Sequence, residues 1–187
     1  MGAGSAFIWL AAGRMAPAKD YPNLLRAFAR VQATCPETQL WIAGETAGAE
    51  FARVRDLAEE LGLGDGVRWL GLCRDMPALL DAADGFVLSS AWEGMPLAVG
   101  EAMAMEKPVV ATDVGGVREL VGDAGYTVSA KSPEGLAGAM LELMRRTPEA
   151  RSALGRRARE RIVSNFSMNA RADEWEILYW TLLERKG

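Results

Sequence analysis

The sequence predicts an α/β fold built on a doubly wound parallel sheet of about six strands. Three observations carry that expectation. Short apolar runs alternate with longer stretches of helical periodicity along the 187 residues. The runs are apolar throughout and do not alternate with polar residues, as expected of strands covered on both faces. Gly13, Gly44, Gly71 and Glu93 each follow such a run, so right-handed crossovers would set them along one rim. The resulting architecture is Rossmann-like, and ligands of such sheets sit beyond the C-terminal ends of the strands.

The elements follow in order. Ala6 to Ala12 reads as the first strand, closed by Gly13. Tyr21-Pro22 opens a helix with Leu24, Leu25, Phe28 and Val31 on one stripe. Leu40 to Gly44 is a second strand. A helix over 50–61 turns Phe51, Val54, Leu57, Ala58 and Leu61 inward, and Gly62 ends it. Val67 to Leu70 is a third strand and Met76 to Ala83 a short helix. Gly85 to Leu88 and Val109 to Thr112 are the fourth and fifth strands, with a helix from Pro96 to Met105 between them. Gly125 to Val128 is a sixth, weaker strand. Three helices complete the chain, over 133–145, 148–164 and 167–184. No repeat, linker or low-complexity stretch interrupts this order, so residues 1–187 read as one domain.

Composition narrows the function. Half the residues are hydrophobic and a quarter charged, as in ordinary globular domains. A net charge of −4 argues against broad nucleic-acid binding. No apolar stretch reaches bilayer length, and Met1 to Ser5 resembles a cloning scar more than a signal peptide. Two cysteines, Cys35 and Cys73, fit a reducing compartment and are too few for a disulfide framework. Histidine is absent, which excludes Ser-His-Asp and Cys-His chemistry as usually built, and histidine-ligated metals. There is no Asp-x-Asp pair for a metal-bound diphosphate either. Phosphate charge would fall to arginine, lysine and helix starts, with no metal.

The most informative segment runs from Glu93 through Gly94-Met95-Pro96-Leu97-Ala98 to Glu101. It follows an apolar strand, Gly94 permits a sharp turn, and Pro96 suits the first position of a helix. Free amides at such a start favour an anion, yet two carboxylates flank it. A ligand carrying both phosphate and hydroxyls resolves the conflict, and a nucleotide sugar has both. On spacing alone, Glu93 reads first as a solvated loop residue and Glu101 as an ordinary helix glutamate.

The run from Ser89-Ser90-Ala91-Trp92-Glu93-Gly94-Met95-Pro96-Leu97 through Glu101-Ala102-Met103-Ala104 to Lys107-Pro108-Val109-Val110-Ala111-Thr112 resembles a known signature. It is similar to the donor site of the glycosyl transferases group 1, glycogen-synthase-like retaining enzymes of GT-B architecture. Gly115 to Val121, and Gly13-Arg14 with Lys19, continue the pattern. The resemblance implies one half of a GT-B enzyme, the C-terminal, donor-binding half, with the N-terminal acceptor domain absent from this chain. It implies transfer of a sugar from a nucleoside diphosphate sugar to an acceptor hydroxyl, on a saccharide or a lipid-linked sugar. Arg14, Lys19 and Glu93 would be its catalytic residues: Arg14 and Lys19 neutralise the diphosphate, and Glu93 lies near the donor sugar. Gly13, Gly44, the Leu72-Cys73-Arg74 loop, Gly94, Met95, Leu97, Ala98 and Glu101 would complete the donor site, with Leu72-Cys73-Arg74 on the base and Glu101 on the ribose. Gly94-Met95-Pro96 departs from the family's frequent Gly-Phe-Gly, which leaves the donor open. The implied location is cytoplasmic, extending to the inner membrane face for the intact enzyme.

Rival readings remain. A non-catalytic nucleotide-sugar-binding module and a nucleotide-sugar epimerase of related fold share these features. A dinucleotide oxidoreductase does not, since no Gly-x-Gly-x-x-Gly follows the first strand. Cys73 as a nucleophile lacks a base beside it. The arginines of 145–161 read as a solvated helix face. The last helix, with Trp175, Ile177, Leu178, Tyr179, Trp180, Leu182 and Leu183, either packs on its own domain or reaches towards a missing half.

Overall fold

The computed structural model describes residues 6–184, so the Met1 to Ser5 start lies outside the described residues. Among these described residues, six strands, β1 (Ile8–Ala12), β2 (Gln39–Ala43), β3 (Val67–Gly71), β4 (Gly85–Leu88), β5 (Val109–Thr112) and β6 (Tyr126–Val128), form one sheet in the order β3-β2-β1-β4-β5-β6. Every pairing is parallel. Among the described residues, eight α-helices alternate with and follow them: α1 (Tyr21–Thr34), α2 (Gly48–Glu60), α3 (Met76–Ala82), α4 (Leu97–Ala104), α5 (Val117–Val121), α6 (Pro133–Arg145), α7 (Pro148–Phe166) and α8 (Met168–Glu184). The order reverses between the adjacent strands β1 and β4. Loops after these two strands leave in opposite directions and open the crevice where such folds bind ligands.

Burial explains why the apolar runs became strands. All four residues of β4 and of β5 are buried, while the edge strands β3 and β6 are half-covered. Side chains alternate between the two faces. Trp9 joins Leu24, Leu25, Phe28, Ile42 and Met140 on one face, and Leu10 joins Phe86, Met103, Val109 and Leu120 on the other. The helix starts follow local chemistry. Asp20, Asp75, Ser132 and Thr147 each accept a backbone N–H from the first turn of α1, α3, α6 and α7, and each helix has proline among its first residues. Gly62 takes φ 66° after α2, and Leu63 N–H reaches back to Ala58 O at 3.1 Å, a glycine stop.

One boundary needs correction, one helix was not expected, and one of the two readings of α8 fails. Pro96 is not the first residue of α4 but its cap: its carbonyl accepts Val99 and Gly100 N–H at 3.0 and 3.3 Å. With φ −79° and ψ 93° it is extended, and the helix begins at Leu97. The five residues of α5 are a helix that periodicity did not show, because the segment is little longer than one turn. Finally, α8 does not bury its apolar residues on its own domain. It meets α7, and Trp175, Ile177, Leu178, Tyr179, Trp180, Leu182 and Leu183 all stay exposed.

Candidate donor site

The loops after β1 and β4 are locked together. A 3-10 turn, Pro17–Lys19, follows β1. Lys19 Nζ donates to Glu93 Oε1 at 2.5 Å, and the two side chains are only 21% and 12% exposed. Ser90 Oγ donates to the same Oε1 at 2.6 Å. Behind them, Thr112 Oγ1 donates to Ser90 O at 2.6 Å, Ser89 Oγ to Lys19 O at 2.8 Å, and Ala91 N–H to Ala18 O at 2.8 Å. Partial burial strengthens attraction between the charges but also raises their desolvation cost, so the extra hydrogen bonds matter. The pair also neutralises Glu93, which removes much of the repulsion an anion would meet at the start of α4.

The glycines of the rim permit close backbone approach. Gly13 N–H donates to Ala43 O at 3.0 Å and Gly44 N–H to Gly71 O at 2.9 Å. A Cβ on Gly44 would lie 2.2 Å from Gly13 O, so only glycine fits. The Tyr21 hydroxyl donates to Gly13 O at 3.0 Å, and burial pushes its phenol well above the usual tyrosine value. Gly13, Arg14, Gly44, Glu45, Leu72, Cys73 and Met76 line a cleft of about 420 Å³. Arg14 is exposed and has no ion-pair partner among the described residues. Cys73 Sγ rests 3.6 Å from the carbonyls of Leu70 and Gly71. Arg74 is exposed and does not belong to this lining.

On the other side of the crevice, the 93–98 loop is held by the loop after β5. Gly116 N–H donates to Gly94 O at 2.8 Å. Gly115 takes φ 54°, and a Cβ there would lie 1.9 Å from Glu93 O. The Leu97 and Ala98 amides, at the first turn of α4, have no hydrogen-bond partner among the described residues, as a helix start leaves them. Met95, Leu97 and Glu101 line a second, apolar hollow of about 360 Å³ with Leu120, Ile162 and Phe166. Glu101 is exposed and unpaired among the described residues. The predicted residues thus share the rim but not one cavity: Arg14 faces one hollow, Glu101 the other, and neither lining includes the Lys19–Glu93 pair.

A larger cavity, about 580 Å³, lies among Asp81, Asp84, Glu106, Lys107, Arg151 and Arg159, residues that cluster at the N-terminal ends of β4 and β5. That is the wrong end of a parallel sheet for ligand chemistry, so size does not select the site. Beside the rim, Arg118 Nε donates to Asp113 Oδ2 at 2.9 Å, which holds the Asp113 carboxyl below its ordinary range. Ser90, Thr112 and Tyr21 were not singled out from sequence as site residues. The available signal was polar side chains in or beside apolar strands: Ser90 and Thr112 are fully buried. Among the described residues, no group of three His, Cys, Asp or Glu could hold a metal ion. No helix among them is long and apolar enough to cross a membrane.

The model of "Glycosyl transferases group 1" matches residues 3–161. The chain belongs to that family. Among curated relatives, it is 30% identical over 167 residues to the N-acetyl-alpha-D-glucosaminyl L-malate synthase of Bacillus anthracis, covering 88% of this chain and 43% of that one. It is 32% identical to the lipopolysaccharide core biosynthesis glycosyltransferase LpsE of Rhizobium meliloti, over 87% of this chain and 46% of the relative. The chain therefore spans less than half the length of these relatives. Among solved structures, Staphylococcus aureus TarM, crystallised with Fondaparinux, alpha-GlcNAc-glycerol and UDP, superimposes at a TM-score of 0.84 with 24% identity, covering 96% of this chain and 37% of that chain. Sucrose-phosphate synthase of Thermosynechococcus elongatus superimposes at 0.82 with 28% identity, over 96% and 46%. The fold is one Rossmann-like half of the GT-B glycosyltransferase architecture.

Proposed function

We propose that this group 1 domain binds the donor nucleotide sugar of a retaining glycosyltransferase, which moves a sugar from a nucleoside diphosphate to an acceptor hydroxyl. The observation that carries the reading is the Lys19–Glu93 pair at the β1/β4 crevice, flanked by unpaired amides of α4 and by the unpaired Arg14. Arg14 offers a planar fork and Lys19 a point charge to the diphosphate. The Leu97 and Ala98 amides and the positive end of α4 add to this field. Glu93 sits beside the donor sugar and Glu101 accepts the ribose hydroxyls. The backbone of Leu72 and Cys73 borders the base in the cleft over Gly13 and Gly44, with Arg74 beside that lining. No divalent metal enters, because cations and helix amides supply the positive potential. The setting is cytoplasmic, reaching the inner membrane face in the intact enzyme. The acceptor, a saccharide or a lipid-linked sugar, would be held by a second, N-terminal domain.

A second reading concerns the chain by itself. On that reading the domain is a module that binds the donor but does not complete transfer alone. Thermal-shift measurements with UDP, GDP and ADP and their glucose or mannose conjugates test the shared claim. A partner at 100 times its dissociation constant adds about 2.7 kcal/mol of stability. Unchanged melting across all of them would remove the donor-site reading.

A further inference from the structure

We infer that Ser90, steadied by Thr112, is a positioning residue that fixes which oxygen of Glu93 faces the donor. Lys19 Nζ and Ser90 Oγ both donate to Oε1, at 2.5 and 2.6 Å. No partner of Oε2 stands among the described residues. Glu93 therefore presents one oxygen with open lone pairs, and its orientation is fixed from behind. A lysine on a flexible stem cannot do this alone: three rotatable donors leave a carboxylate free to turn. The hydroxyl of Ser90 can, because the residue is completely buried and its own carbonyl is tied to Thr112 Oγ1 at 2.6 Å. Thr112 is buried on β5, the strand beside β4, so Ser90, two residues past the end of β4, is tied to the sheet through its carbonyl.

This arrangement has a consequence for binding. An incoming diphosphate competes with Glu93 for Lys19. When the ammonium turns to phosphate, the Ser90 hydroxyl remains on Oε1 and keeps the carboxylate in place. Ser90 thus lets Lys19 change partners while Oε2 stays aimed at the sugar. The consequence for the donor rests on the donor-site reading above; the holding of Glu93 by Ser90 and Thr112 does not.

The test separates the two. The chain has four lysines, Lys19, Lys107, Lys131 and Lys186, so acetylation by sulfo-NHS-acetate can be followed residue by residue by mass spectrometry on the free chain. Exposed Lys131 serves as the internal reference. In Ser90→Ala, Glu93 turns away and the Lys19 labelling rate rises about fivefold, the factor one hydrogen bond sets. Ser90→Thr keeps the parent rate, and Thr112→Val falls between. An unchanged Lys19 rate in Ser90→Ala would overturn the inference. So would Ser90→Thr behaving like Ser90→Ala, or Lys107, whose Nζ donates to Asp81 O at 3.0 Å, rising together with Lys19 relative to Lys131, which would mean general loosening. A second arm titrates UDP-glucose, GDP-mannose, UDP and GDP by calorimetry. Ser90→Ala should weaken a nucleotide sugar about fivefold while leaving its free diphosphate unchanged, and equal weakening of both would contradict the orienting role. If the parent binds none of the four, the donor-site reading fails and the labelling arm still decides the role of Ser90.

Discussion

Lys19 and Glu93 stand 74 residues apart in the chain, yet Lys19 Nζ donates to Glu93 Oε1 at 2.5 Å. The sheet order makes the meeting inevitable. β1 and β4 are neighbours, and each residue follows one of them at the point where the strand order reverses. A lysine and a carboxylate placed there, 21% and 12% exposed, form a charged latch across the crevice.

Removing the lysine should cost more affinity than removing metal. Lys19→Ala leaves Glu93 as an uncompensated charge beside the expected diphosphate, so affinity for UDP or GDP should fall about 10- to 100-fold, as for loss of a charge-assisted hydrogen bond. EDTA should leave the parent unchanged. Calorimetric titration of parent and variant, with and without chelator, checks both. Binding abolished by EDTA and indifferent to Lys19→Ala would refute the cation clamp.

Glu101→Ala should separate affinity from stability. The side chain is exposed and has no partner among the described residues, so its loss should barely move the melting temperature. Its expected bond to ribose hydroxyls contributes about 1.5–3 kcal/mol. Affinity and melting are measured side by side, and unchanged affinity would make Glu101 an ordinary helix residue.

Gly44→Ala should damage the rim. The new Cβ would meet Gly13 O at 2.2 Å, forcing β1 and β2 apart at their C-terminal ends. Backbone cannot yield as a flexible side chain does, and such overpacking costs about 1–3 kcal/mol. Chemical denaturation reads the loss. A variant as stable as the parent would show that the two loops are free to separate.

Tyr21 predicts an alkaline limit. Burial raises its phenol above the unfolded value, which is about 10. The folded state then holds its proton where the unfolded state releases it. The contribution is fully present below pH 10 and declines as pH rises past it. Tyr21→Phe should lose about 1 kcal/mol at neutral pH with the Gly13 hydrogen bond, and its stability should fall less steeply above pH 10. Melting curves from pH 7 to 11 compare the two slopes; parallel curves would assign the alkaline loss elsewhere.

Much of this was legible in the sequence. The six strands were, because fully buried parallel strands are continuously apolar, as β4 and β5 are. Helix starts were, where Ser132-Pro133 or Thr147-Pro148 marked them. The boundary at Pro96 slipped by one because a proline before a helix and a proline opening one leave the same trace in sequence. Short α5 carries too few residues for a period. The Lys19–Glu93 latch was invisible as a contact, since pairing at that separation depends on strand order, which alternation alone does not specify. Ser90 was hidden for a related reason: its meaning lies in what its hydroxyl meets. The apolar character of α8 was plain, but its exposure depends on which surfaces surround it.

The most direct measurement is amide chemical-shift mapping of the chain titrated with UDP and with GDP. The account predicts that at least one of them perturbs Gly13, Arg14, Gly44, Leu72, Leu97 and Ala98 together, across both sides of the β1/β4 crevice. Perturbation confined to the opposite cavity, around Asp81, Glu106 and Lys107, or none at the rim with either nucleotide, would contradict it.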